Sequence, residues 1–273
     1  DAGALYQATN GQIWTPITSA NTNSTAPSGD FKAATYALGK FIVVGASGVA
    51  SSSPNLSTWT AGTSNTTQTL NAVAGNSSTV VAVGNNGTIR YSGDGITWTA
   101  AASVPTLPAN TNLYGVAYTL NGVWLAVGDN GTLLSSPDGS TWTSVASGTT
   151  QTLRSIASTY LSAVTAVTSG VVSNAIVGDA GTVLTSTDSS VWSLVNPAPT
   201  SANLRAVVGS ASQFLAVGSG GAVLTSANGT TWATPTNLQS GGTGINPLGL
   251  VFAPSPQAQY VAVGPAGANS HSH

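Results

Sequence analysis

Seven acids, five cations and two histidines are all the charged and imidazole chemistry that this 273-residue chain offers. Every acid is an aspartate: Asp1, Asp30, Asp94, Asp129, Asp138, Asp179 and Asp188, with no Glu anywhere. Glycoside hydrolysis needs two carboxyl groups facing one bond, one of them kept protonated by a raised pKa. Sialidase chemistry needs instead a Tyr nucleophile, a Glu beside it and arginines that hold the substrate carboxylate. Asp94, Asp138 and Asp188 sit in recurring turns, Asp129 and Asp179 follow a Val-Gly pair, Asp1 is terminal, and Asp30 alone stands apart. A facing pair is hard to assemble from them. A Ser-His-Asp arrangement needs a histidine between nucleophile and acid, yet His271 and His273 both lie in a Ser-rich tail past the last apolar segment. Zero cysteines exclude disulfides and thiolate metal sites, and neither His nor Asp clusters as metal ligands do. The reading is a non-enzyme with no metal and no cofactor.

The elements that must position these residues repeat along the chain. From the glycine of each Val-Gly pair to the next tryptophan the interval is constant: Gly45 to Trp59, Gly84 to Trp98, Gly128 to Trp142, Gly178 to Trp192 and Gly218 to Trp232. Each unit holds four strand-sized segments joined by turn-forming residues; in the second they read LNAVA (70–74), VVAVG (80–84), GTIRYS (87–92) and ITWTA (96–100). Periods of 39 to 50 residues match a propeller blade. A sixth unit is split between the chain ends. LGLVF (248–252) and QYVAVG (259–264) lack the second half of the motif, and ALYQAT (4–9) with QIWTPIT (12–18) supply it. The expected fold is therefore all-β: a six-bladed β-propeller of four-stranded antiparallel blades. It spans 1–264 as one domain, with the sixth blade formed by 1–18 plus 248–264 and with 265–273 as a disordered tail.

Before each tryptophan runs a polar turn: SPNLSTW (53–59), SGDGITW (92–98), SPDGSTW (136–142), STDSSVW (186–192), SANGTTW (226–232) and ATNGQIW (8–14). These resemble the Asp-box, or BNR, repeat of sialidase-like propellers in a shortened form. With the LRAV and AVGxxGTxL segments the whole unit looks like the propellers of photosystem II assembly factors. At Asn10, Asn55, Asp94, Asp138, Asp188 and Asn228 the side chain is expected to accept backbone N–H bonds within the turn, a structural role and not a catalytic one.

If the fold is a propeller, the first strand of each blade lines the central channel. The residue after its opening apolar position is then Lys32, Asn71, Tyr114, Arg154, Arg205 and Gly249 around the ring. Three of the five basic residues fall here. In the assembly-factor propellers arginines at this strand contribute to a basic patch that engages a partner protein, a role the resemblance carries to Arg154 and Arg205. The bland alternative is that these cations satisfy carbonyls or pair with acids such as Asp30. Trp124 and Tyr114 are the aromatics that the repeat leaves unexplained.

Only 4% of residues are charged and the net charge is −2, far from the roughly 25% charged residues of ordinary soluble domains. No basic field exists to attract nucleic acid, and no apolar run is long enough to insert in a membrane. A nearly neutral surface of Ser, Thr and Asn favours association, so the expected partner is a protein or the chain itself, as a homo-oligomer or polymer. A chain opening on Asp1 reads as a mature exported protein, extracellular or at the cell surface, with the periplasm as second choice. The preferred function is an exported non-enzymatic structural or protein-interaction module that self-assembles into a layer or filament. A glycan-binding propeller is the alternative, and a sialidase-type hydrolase the third reading.

Overall fold

In the computed structural model the described residues are 5–7, 15–18, 28–161, 171–234, 239–240, 243–244, 246–253, 259–264 and 269–272. The chain divides into two compact units, residues 1–118 with 136–143 and residues 119–135 with 144–273. Antiparallel sheets built from neighbouring strands make up both. No helix among the described residues is long and apolar enough to cross a membrane.

The first unit contains two complete four-stranded sheets. One runs through Phe31–Ala37, Lys40–Gly45, Ala50–Ser53 and Thr60–Ala61, the other through Leu70–Gly75, Val80–Gly84, Ile89–Ser92 and Thr99–Ala100. The strand Leu113–Tyr118 completes the first unit, and Trp124–Gly128 and Leu133–Ser136 open the second. The second unit adds a fourth sheet, Leu153–Leu161, Val171–Gly178, Val183–Ser186 and Ser193–Leu194. A fifth follows in Leu204–Gly209, Phe214–Gly218 and Val223–Ser226, with a single bridge from Thr225 to Ala233 where the others have a fourth strand. Chain order equals sheet order in each, the meander expected from the repeat.

Between the second and third strands the chain reverses through a tight turn whose two central residues both have positive φ. Asn86 at 51° and Gly87 at 65° form one, and Asn130 at 54° with Gly131 at 66° another. Two-residue hairpins with this backbone match the right-handed strand twist, and Asn-Gly adopts it at least cost. The recurrence of this pair after Val-Gly thus has a local cause.

Successive sheets pack by one rule. At the seams within each unit a forward face, which bears the valine before the Val-Gly glycine, meets the backward face of the next sheet. In the first unit Ile42, Val44 and Ala50 pack on Leu70, Val73, Val80 and Ala82. In the second unit Leu125, Val127 and Leu133 meet Leu153 and Ile176, while Ala175, Val177 and Val183 meet Leu204, Phe214 and Ala216. Ala206, Val217 and Val223 then receive Leu250 of the last sheet. The repeat valines are accordingly sealed: Val44, Val83, Val127 and Val177 are 0% exposed and Val217 is 1%.

The last sheet departs from expectation. Gly249–Ala253 pairs with Gln259–Val263, as read, but the outer edge of Gln259–Val263 is taken by Asn269–Ser272, with Val263 opposite Asn269 and Tyr260 opposite Ser272. The tail expected to be disordered is thus a strand in this stretch. An edge strand carries unpaired backbone donors and acceptors, and the tail supplies their partners where residues 4–9 were expected. Tyr6–Gln7 and Thr15–Pro16 pair with each other, as the split unit implies, in a two-stranded sheet. Register shifts too. The backbone of Pro247 lies against Gly264 as Leu70 lies against Gly84 and Leu204 against Gly218. Leu248, and not Gly249, therefore holds the place that follows the opening apolar residue.

Candidate functional site

The polar turns before the tryptophans show one geometry. At Asp138 one carboxylate oxygen accepts the N–H groups of Ser140 at 2.7 Å and Thr141 at 2.8 Å and the Ser136 hydroxyl at 3.0 Å. The Ser136 Oγ in turn accepts the Gly139 N–H at 2.8 Å. Asp94 and Asp188 repeat the pattern on Ile96 and Thr97 and on Ser190 and Val191. Asn55 and Asn228 reproduce it with an amide oxygen, on Ser57 and Thr58 and on Thr230 and Thr231. Asn10 lies outside the described residues. A charged carboxylate gains more from these donors than a neutral acid would. All three carboxyls are therefore held below the usual range: Asp188 by the Val191 and Ser190 amides, Asp138 by Thr141 and Ser140, Asp94 by Ile96 and Thr97 with Lys40 nearby. Acids held ionised in this way are poor proton donors at neutral pH.

The five candidate binding residues divide between the units. In the first, Lys32 Nζ pairs with Asp30 Oδ2 at 2.8 Å, both half exposed, and this hydrogen bond lowers the Asp30 pKa. Asn71 donates to Asn85 Oδ1 and to the Leu113 carbonyl, each at 2.9 Å, and Tyr114 is half-buried. In the second, Arg154 makes a two-pronged contact with Asp179, Nε to Oδ1 at 2.6 Å and an Nη to Oδ2 at 2.5 Å. Asp179 is the residue directly after Gly178. In the fifth sheet the matching position is Ser219, whose hydroxyl accepts the Asn203 N–H at 3.0 Å. Half-buried Arg205, the counterpart of Arg154, consequently has no hydrogen-bond or ion-pair partner among the described residues. The bland reading of the cations thus holds for Lys32 and Arg154, though Arg154 pairs with Asp179 and not with Asp30. The remaining cations are engaged by carbonyls: Lys40 by Asp94, Arg90 by Asn65.

Trp124, one of the two aromatics that the repeat leaves unexplained, is 1% exposed. It opens the strand Trp124–Gly128 at the core position that Val80 and Phe214 occupy elsewhere. Of the histidines, His271 belongs to the last strand and His273 lies outside the described residues. No group of three potential metal ligands gathers among the described residues. A cavity of about 320 Å³ in the first unit lies between Asn86, Gly87 and the loop residues Val104, Pro105, Leu107 and Pro108. It contains no ionisable side chain.

No family model matches this chain, and no curated protein matches it either. Solved structures do. YCF48 with a bound D1 peptide is 16% identical, with a TM-score of 0.66, covering 95% of this chain and 82% of that one. A chain of the mitotic checkpoint complex is 9% identical with a TM-score of 0.68, covering 99% and 85%. Virginiamycin B lyase from Staphylococcus aureus is 11% identical with a TM-score of 0.65, covering 100% and 88%. The fold is of the β-propeller kind. At such identities the likeness speaks for architecture and not for activity.

Proposed function

We propose that this chain is an exported, non-enzymatic six-bladed propeller that serves as a protein-interaction module and assembles with copies of itself outside the cell. The observation that carries this reading is the state of its charges. Every described ionisable acid and base of the Asp, Lys and Arg types, Arg205 excepted, bonds within its own chain. With only 4% of residues charged, a net charge of −2, and Lys32 and Arg154 each paired with an aspartate, little electrostatic repulsion holds two copies apart. The lowered carboxyls of Asp30, Asp94, Asp138 and Asp188 support the absence of hydrolase chemistry, since none is the raised acid that glycoside cleavage requires. Turn geometry supports kinship with Asp-box repeats. The protein-binding part has its counterpart in the YCF48 structure with its bound peptide, and Arg205 is the cation we assign to a partner carboxylate. With Trp124 in the core, the glycan-binding alternative loses one of its two aromatics.

Light scattering on native protein across a dilution series tests the assembly. Particles well above 26.8 kDa are expected. Their mass should rise with concentration and change little with added salt, because the contacts are not ionic. A mass of 26.8 kDa at every concentration and salt level would refute the reading.

A further inference from the structure

Asn86, Asn121, Asn130 and Asn228 are the asparagines followed by glycine among the described residues. Glycine has no Cβ to shield its backbone nitrogen from the side-chain amide before it, so Asn-Gly is the asparagine pair most prone to closing a ring. Three of these pairs are tied down. Asn86 donates from Nδ2 to Gln68 Oε1 at 2.9 Å, and the Thr111 carbonyl holds the Gly87 N–H at 2.7 Å. Asn121 donates to the Thr187 carbonyl and accepts from Asn174 and Ser189, while the Gly122 N–H goes to the Thr119 carbonyl. Asn228 Oδ1 accepts the Thr230 and Thr231 N–H groups, and Gly229 donates to the Ser226 hydroxyl at 2.8 Å. Asn130 differs. It is exposed, its side-chain amide has no hydrogen-bond partner among the described residues, and no loop carbonyl there holds the Gly131 N–H. Backbone shape is not the cause, since Asn86 at φ 51°, ψ 41° and Asn130 at φ 54°, ψ 35° are alike. Glycine at 131 is compulsory, because its φ is +66° and a Cβ would lie 1.9 Å from the Thr149 carbonyl oxygen. Asparagine at 130 is not: Ser47 and Ala180 take the same place in other sheets with φ of 53° and 51°.

We propose that Asn130 is a modification site, converted through its own neighbour to aspartate and isoaspartate. The Gly131 nitrogen, its proton taken by solvent, bonds to Asn130 Cγ. The Cγ–Nδ2 bond breaks, and the amide nitrogen leaves as ammonia after regaining a proton. Water then opens the cyclic imide. One water is consumed and one ammonia released, and nothing is oxidised or reduced. Opening at Cγ gives aspartate on the original backbone. Opening at the main-chain carbonyl gives isoaspartate, which routes the backbone through Cβ and lengthens a two-residue hairpin whose shape is set by two adjacent positive φ values. Either product places a second negative charge beside Asp129, in a chain with only seven acids.

Incubating the native chain in oxygen-18 water near neutral pH, followed by tryptic peptide mass spectrometry, reads each site. Cleavage after Arg90, Arg154 and Arg205 puts Asn86, Asn130 and Asn228 on separate peptides, and fragment ions separate Asn121 from Asn130. Asn130 is expected to convert on the order of tenfold faster than the other three, the factor that one restraining hydrogen bond sets. In urea all four should convert at similar rates, because each precedes glycine. Labelling by isoaspartyl methyltransferase should rise on the peptide carrying Asn130 with the same time course and vanish from it in Asn130→Ser. That variant should keep the wild-type melting temperature, since Ser47 holds the same backbone. A native chain in which Asn130 converts no faster than Asn86, Asn121 or Asn228 overturns the proposal. A lead for Asn130 that persists unchanged in urea traces the reactivity to local sequence and overturns the role given to the fold.

Discussion

Removing the indole N–H from two equivalent tryptophans should have opposite consequences. Trp142 is 2% exposed and donates from Nε1 to the Gly139 carbonyl at 3.0 Å, the bond that Trp59, Trp192 and Trp232 also make to the residue three before them. Trp98 is 0% exposed, and its Nε1 has no acceptor. In Trp142→Phe and Trp98→Phe the volume lost is the same and the surrounding core is alike, so the cavity costs largely cancel in the comparison. What remains is the hydrogen bond. Trp142→Phe forfeits a net contribution of about 1 kcal/mol and leaves the Gly139 carbonyl short of a donor, while Trp98→Phe removes a buried orphan whose desolvation costs about 1 to 3 kcal/mol. Trp98→Phe should therefore be less destabilising than Trp142→Phe by about 2 to 4 kcal/mol. Urea unfolding followed by far-UV circular dichroism measures this without relying on the fluorescence of the altered residue, and equal m-values would show that the unfolded states match. If the two variants lose equal stability, or Trp98→Phe loses more, the assignment of Trp98 as an unsatisfied donor is wrong.

Acid should destabilise the protein within a narrow window. Asp30, Asp94, Asp138 and Asp188 all titrate below the ordinary 3.8 in the folded chain. Their contribution is thus full above that value and is lost as the pH falls through the folded pKa values. Thermal melts at stepped pH should lose stability only below about pH 4, and Asp138→Asn should flatten that slope while keeping stability at neutral pH, because Asn55 and Asn228 hold the same turn. A loss already complete at pH 6 would contradict the lowered carboxyls. Gly181→Ala should be severely destabilising: its φ is +69° and a Cβ there would lie 1.7 Å from the Thr200 carbonyl oxygen. Gly148→Ala, with a similar φ of +71° but open space around it, should cost only about 1 kcal/mol. Equal melting temperatures for the two variants would show that the close approach at Gly181 does not exist.

Much of this protein can be read directly from the order of its residues, and the reason is range. The hairpin at Asn86 and Gly87 depends on two adjacent residues that tolerate positive φ, and the turn at Asp138 on donors two and three positions away. Such features leave a recurring imprint, so the repeat was legible from the Gly-to-Trp spacing, and the meander and all-β class from the strand-sized segments and turn residues inside each unit. Trp124 was left unexplained because it falls off the repeat tryptophan position, and only its burial at 1% exposure places it in the core. Contacts between distant residues leave no such imprint. That Asp179 captures Arg154 while Ser219 leaves Arg205 without a partner among the described residues follows from two strands meeting in space, and only the folded sheet shows which cation is paired. The edge of Gln259–Val263 could pair with any extended segment of suitable length, since backbone hydrogen bonding is nearly indifferent to side chains; tertiary structure chose Asn269–Ser272. Burial decided the rest. Val263 and Val217 have the same local pattern, Ala-Val-Gly, yet Val217 is 1% exposed in a cluster against which Leu250 packs, and Val263 is 47% exposed.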